Sequence, residues 1–111
     1  MRLIHLIIGL LLLMISVQVQ AEKATSTISK GQQLTQKLCQ ACHAFPGATQ
    51  AGNVGPPFKA IKSRFPDRKA LTNIIHDPQI RNPDTMMPPF GRNGLVDAQG
   101  IDNIIDFLYT L

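Results

Sequence analysis

Tryptophan is absent from this chain of 111 residues, tyrosine occurs once and phenylalanine five times. A domain this short buries little apolar area per residue, so an aromatic-poor core needs a further element to complete it. Alternation of apolar and polar residues with period two is missing after the first twenty positions, which excludes a sheet protein. Internal repeats and low-complexity segments are absent as well. Charged residues make up only 16% and hydrophobic ones 44%, a balance that excludes disorder and leaves one small globular domain. The net charge of +4, without basic residues interleaved with aromatics, gives no footprint for nucleic acid.

The N-terminus accounts for part of the apolar total. Arg2 and His5 precede LIIGLLLLMISV, and Ala21 follows as a small residue at a cleavage position. This order is that of a secretory signal. The unbroken apolar run of about a dozen residues is shorter than the ~20 that a spanning helix needs. Residues 1–21 are therefore read as a cleaved signal, with a retained membrane anchor as the alternative. Residues 22–28 are read as a flexible arm and residues 29–111 as the domain, with a periplasmic location and no stable span. The chain beyond Ala21 holds ten Lys+Arg against seven acids, and its only histidines are His43 and His76. Met86 and Met87 are its only methionines. Residues 22–69 carry eight basic side chains against Glu22 and Asp67, whereas residues 70–111 carry Arg81 and Arg92 against five aspartates. Such a dipolar surface either orients a charged partner or is ordinary solvated surface.

Helical periodicity appears four times. Ser29 stands three residues before Gln32, a capping-box spacing, and Leu34, Leu38 and Ala41 recur on one stripe. FKAIKSRF predicts a short helical turn. Leu71, Ile74 and Ile75 form a stripe that Pro78 ends. Asp97 is the expected N-cap of the last helix, with Ile101, Ile104, Ile105 and Leu108 on one face and Gly100 at a close crossing. Residues 44–57 and 78–94 are rich in glycine and proline and predict loops. Loops this long in so small a domain imply that something binds them.

The residues at 38–45, LCQACHAF, hold the only two cysteines. A redox dithiol belongs beside a strand–helix unit, which is missing here, and a disulfide across two residues closes too small a loop to stabilise much. A closed zinc site would consume Cys39, Cys42, His43 and His76, with neighbours Cys42 and His43 both aimed at one tetrahedral ion. C-x-x-C-H is instead the attachment signature of c-type haem. Each thiol adds to one vinyl group, and His43 follows as the proximal iron ligand. His43 is expected to donate its other ring N–H to a backbone carbonyl. One covalent haem c also supplies the missing aromatic bulk.

The opposite axial position has few candidates. Met86 and Met87 lie in TMMPPFG, off any apolar helical stripe, and two prolines hold the backbone extended after them. Neighbours in an extended segment point opposite ways, so one of the pair reaches iron, and Met87 is the expected ligand with Met86 packed nearby. A neutral thioether favours ferrous iron and suits an electron carrier. His76, at a helix C-terminus, is read as a surface residue. Lys62 and Arg64 are read the same way.

These residues resemble the class I cytochromes c. The resemblance implies an all-α fold, three to four short helices with long loops wrapped around one covalent haem. It also implies that Pro56, in Gly55-Pro56, receives the His43 N–H, that Gly31 lets the first and last helices touch, and that Phe107-Leu108 closes the core. Thr35 departs from the pattern, standing where many members have an aromatic. Residues 52–111, including N-P-x-T-x-M-P-P at 82–89, are similar to the SoxX subunits of SoxAX cytochrome complexes. That likeness implies Met87 as distal ligand and a heterodimer with a SoxA-like monohaem or dihaem cytochrome. The complex in that family acts as an L-cysteine S-thiosulfotransferase on a SoxYZ carrier, with SoxX its non-catalytic electron-transfer subunit serving a downstream cytochrome. After thioether formation no free cysteine remains here for thiol catalysis, and no Ser/His/Asp set or carboxylate pair is apparent. A freely diffusing small cytochrome c is the alternative.

Overall fold

Gly31 is where the chain's two principal helices meet. The computed structural model describes residues 1–111, with α1 spanning Arg2–Leu38, α2 Ile61–Arg64, α3 Arg68–His76 and α4 Ala98–Leu108. A single 3-10 turn, Pro78–Ile80, follows α3, and there are no strands. The all-helical expectation holds. The domain gathers at one end of α1, while the N-terminal part of that helix projects away and stretches the molecule to 69 Å.

The last helix forms as its pattern dictates. Asp97 accepts the Gly100 N–H at 2.7 Å, satisfying one of the donors that a helix start leaves free. Ile101, Ile104, Ile105, Phe107 and Leu108 are all buried. Each such side chain contributes roughly 1.5–3 kcal/mol relative to an exposed one. Against this face lies α1, and the crossing is close because a Cβ on Gly31 would strike the Asn103 carbonyl and come within 3.0 Å of Phe107 Cβ. Thr35, one turn on, is fully buried and returns its hydroxyl to the Gly31 carbonyl at 2.8 Å. The small side chain thus fits where an aromatic would hold the helices apart. Gly100 plays a lesser part in the crossing, since a Cβ there would meet Leu34 of α1 only at 3.5 Å.

Two expectations about α1 are corrected. The stripe is Gly31, Leu34, Thr35 and Leu38, whereas Ala41 is exposed beyond the helix end. The helix also does not start at Ser29: residues 22–28 continue it without a break. Nothing in EKATSTI stops a helix already begun upstream. The hydroxyls of Thr25 and Thr27 bond back to the carbonyls of Ala21 and Ala24 at 3.0 Å instead of capping. An 18-residue window of α1 has a mean hydropathy of 2.2, and none of it is buried.

Asp67 caps α3 by accepting the Lys69 N–H at 2.9 Å, and Leu71 and Ile75 turn inward. Arg68 ties α3 to α4 through Asp106 at 2.9 Å and Asp102 at 3.2 Å. The Tyr109 hydroxyl donates to the Phe65 carbonyl at 2.8 Å and closes the C-terminal end.

Candidate functional site

Cys39 caps α1, and the next residues continue as a single helical turn. The N–H groups of Cys42 and His43 both return to the Cys39 carbonyl, at 3.1 and 2.9 Å. Both thiols are free, Cys42 exposed and Cys39 largely covered. Burial, with a smaller contribution from Cys42, pushes the Cys39 thiol from 9.0 up to about 12. Cys39 is therefore no thiolate nucleophile near neutral pH.

The loop after the motif folds back beneath it. Gln40 organises this return: its side-chain oxygen accepts from Thr49 N–H and Thr49 Oγ1, both at 3.0 Å, and its carbonyl accepts the Gly52 N–H. Gln36 donates to the Gly47 carbonyl at 2.8 Å. The Gly55 N–H then reaches the Cys42 carbonyl at 2.8 Å, and the Phe58 N–H reaches that of Ala44 at 2.8 Å. A Cβ on Gly52 would press on the backbone at Ala41 and Cys42 (2.6 Å from the Cys42 nitrogen), and one on Gly55 would strike the His43 ring.

His43 Nδ1 lies 2.7 Å from the Pro56 carbonyl. A carbonyl only accepts, so Nδ1 carries a proton, and in the neutral ring Nε2 then keeps its lone pair, the tautomer that an imidazole ligating through Nε2 needs. The ring stacks on Phe58, with centroids 4.3 Å apart and planes 20° from parallel. Phe58 stacks in turn on Phe45 at 5.7 Å, and Phe45 meets Phe107 edge-on at 6.0 Å. This row ties the motif to α4. Arg64 donates to the Pro57 carbonyl at 3.3 Å, and Lys62 lies over the Tyr109 ring.

Met86 and Met87 differ sharply. Met86 is 83% exposed, whereas Met87 is half-buried and packs on the core. The Met87 N–H donates to Thr85 Oγ1 at 3.2 Å, and Pro89 and Phe90 just after it are buried. His76 is exposed at the end of α3 and its ring faces Gly91. No three His, Cys, Asp or Glu side chains converge to hold a metal ion by themselves, so the four-ligand zinc arrangement is not formed.

The donor set fits a covalently held haem. Two unpaired thiols share one turn, an imidazole engages Pro56 through Nδ1 and leaves Nε2 as its possible donor atom, and glycines let the return loop approach the motif closely. Cys39, Cys42, His43 and Pro56 are brought together by direct hydrogen bonds, while Met87 stands on a separate loop. Gln40 and Phe58 were not legible as site residues. Gln40 occupies an unconstrained position within C-x-x-C, and only the aromatic character of Phe58, two residues past Pro56, marks it.

Residues 26–108 match the family model described as "Cytochrome C oxidase, cbb3-type, subunit III". Over 72 residues the chain is 31% identical to an "Uncharacterized lipoprotein" of Aquifex aeolicus (strain VF5), in an alignment covering 64% of this chain and 35% of that protein. The chain thus spans about a third of the length of the curated relative it matches. No solved structure matches it.

Proposed function

The chain belongs to the cytochrome c family whose model is described as cytochrome c oxidase, cbb3-type, subunit III, and from that membership we propose how this haem electron-transfer protein works. Cys39 and Cys42 would tether one haem c through thioether bonds, and His43 Nε2 and Met87 Sδ would be the donors to its iron. Haem supplies reversible one-electron chemistry at its iron. The Pro56 carbonyl holds the proton on His43 Nδ1, which keeps the ring oriented and its other nitrogen basic. Phe58 fixes the ring plane by stacking. Pro88 and Pro89 restrict the backbone behind Met87, and the buried Phe90 anchors it to the core.

The 2.7 Å approach of His43 Nδ1 to the Pro56 carbonyl carries this reading, because it selects the tautomer that leaves Nε2 as the donor to iron. Met87→Ala tests the distal ligand. The variant is expected to lose the low-spin ferrous spectrum and to show a lower midpoint potential. An unchanged spectrum and potential would remove Met87 from the iron.

The finer role is the electron-transfer subunit of a SoxAX-like complex that joins thiosulfate oxidatively to a carrier cysteine. The similarity of residues 52–111, above all N-P-x-T-x-M-P-P, supports this reading. The partner is then a SoxA-like cytochrome subunit, with electrons passed to a downstream cytochrome in the periplasm after cleavage behind Ala21. Co-expression with such a subunit followed by gel filtration is expected to give one coeluting complex. Separate elution would leave a freely acting carrier. A retained N-terminal anchor is the second reading, favoured by the unbroken α1 and its 18-residue apolar window. N-terminal sequencing of the exported protein separates the two, since cleavage predicts Glu22 as the first residue.

A further inference from the structure

The loop that carries Met87 packs on the core through Met87 and Phe90, and its hydrogen bonds to the rest of the molecule gather at one place. The His76 carbonyl accepts the N–H groups of Gly91 and Arg92, at 3.1 and 3.0 Å, drawing both ends of the loop together. Across this base Arg92 Nη1 lies 2.8 Å from Asp77 Oδ2, and Arg92 Nη2 donates to Gln79 Oε1. The other Asp77 oxygen accepts the Gln79 N–H at 3.2 Å. The Asp77 side chain is only 7% exposed, so its carboxylate depends on these donors. Gly91 sits so close to the His76 ring that no side chain would fit there. All remaining hydrogen bonds of residues 78–90 stay within residues 77–96, as those of Asn82, Thr85 and Phe90 show. Hydrogen bonding therefore fixes the loop's shape internally and its placement through the base alone.

We infer that the Asp77–Arg92 ion pair is a clasp that positions the Met87 loop and governs how readily Met87 leaves the iron. The inference rests on the reading of Met87 as an axial ligand. Arg92 and Asp77 are positioning residues that act through the loop that they close. Removing the Arg92 guanidinium leaves a buried carboxylate without its charge partner, and breaking the pair from either side frees the loop to swing away from its seat.

The test uses the haem-loaded protein and the rate at which imidazole binds the ferric iron, which rises with the population of the methionine-off state. Arg92→Gln and Asp77→Asn are both expected to speed imidazole binding about tenfold, as loss of one charge-assisted clasp implies. Both are expected to keep the methionine-to-iron charge-transfer band when imidazole is absent. Asp77→Asn retains an acceptor for the Gln79 N–H, so it remains informative should Arg92→Gln fold poorly. Wild-type binding rates in the folded variants, even with lowered thermal stability, would overturn the clasp and leave a purely structural ion pair. Met87→Ala separates the two levels. If it keeps the charge-transfer band, the ligand reading itself fails. If it loses the band while the clasp variants bind imidazole at the wild-type rate, only the clasp fails.

Discussion

Replacing Gly31 with alanine sets two opposite effects against each other in one methyl group. Helix propensity favours alanine over glycine in a helix interior by about 1 kcal/mol. At this position the new Cβ would enter the Asn103 carbonyl and lie 3.0 Å from Phe107 Cβ. The Asn103 atoms are backbone, so no rotamer change relieves the contact, and α1 and α4 must separate. The contacts of Thr35, Ile104 and Phe107 across the crossing are loosened together. Overpacking of this kind costs roughly 1–3 kcal/mol and sometimes more. With the clash falling on backbone, the upper end applies, and the net loss is about 2 kcal/mol. Urea unfolding of the haem-loaded protein, followed by far-UV circular dichroism, reads this as a lower midpoint at unchanged slope. Gly100→Ala is the internal comparison. Its Cβ would meet Val96 Cγ1 at 2.5 Å and Asp97 Oδ1 at 3.1 Å, side-chain atoms that can yield. It is expected to lose less than half as much. A Gly31→Ala protein as stable as wild type would refute the close crossing.

Gly55→Ala would drive a methyl into the His43 ring and break its bond to Pro56, so the yield of low-spin haem protein is expected to fall severalfold; a normal spectrum would argue against the cradle. In the haem-free chain, Cys39 is held protonated by burial while an unfolded thiol titrates near 9. The folded state then binds the extra proton, so its stability falls as pH rises from about 9 toward 12 and is unaffected below that window. Alkylation at about pH 9 should accordingly modify the exposed Cys42 before Cys39, and equal rates would contradict the burial. Arg68→Ala removes two part-exposed ion pairs, which are worth under ~1 kcal/mol together and shrink with salt. A deficit unchanged in concentrated salt would show that the Arg68 bond to the Asp102 carbonyl dominates instead.

Local rules read the last helix well. Asp97, Ile101, Ile104, Ile105 and Leu108 obey capping and periodicity, which depend only on neighbours along the chain. The motif at Cys39, Cys42 and His43 was legible for the same reason, since the turn that joins its members spans five residues. The start of α1 was not. A capping box at Ser29 acts only where the chain is non-helical upstream, and the apolar segment before it is helical to Arg2. Ala41 was misplaced because the helix ends at Leu38, and beyond that point the 3.6-residue period no longer describes the chain. Phe58 over His43 and Arg92 on Asp77 bridge fifteen positions each. Pairs at that separation are set by how loops return, which no local period records, and Arg92 alone reads as one more solvated cation.

The intact mass of the protein, taken from cells that assemble c-type cytochromes and measured after acid denaturation, bears most directly on the tether. The account predicts one added haem that denaturation does not remove, lost when Cys39 and Cys42 are both replaced by alanine. An unmodified mass with two titratable thiols would contradict it.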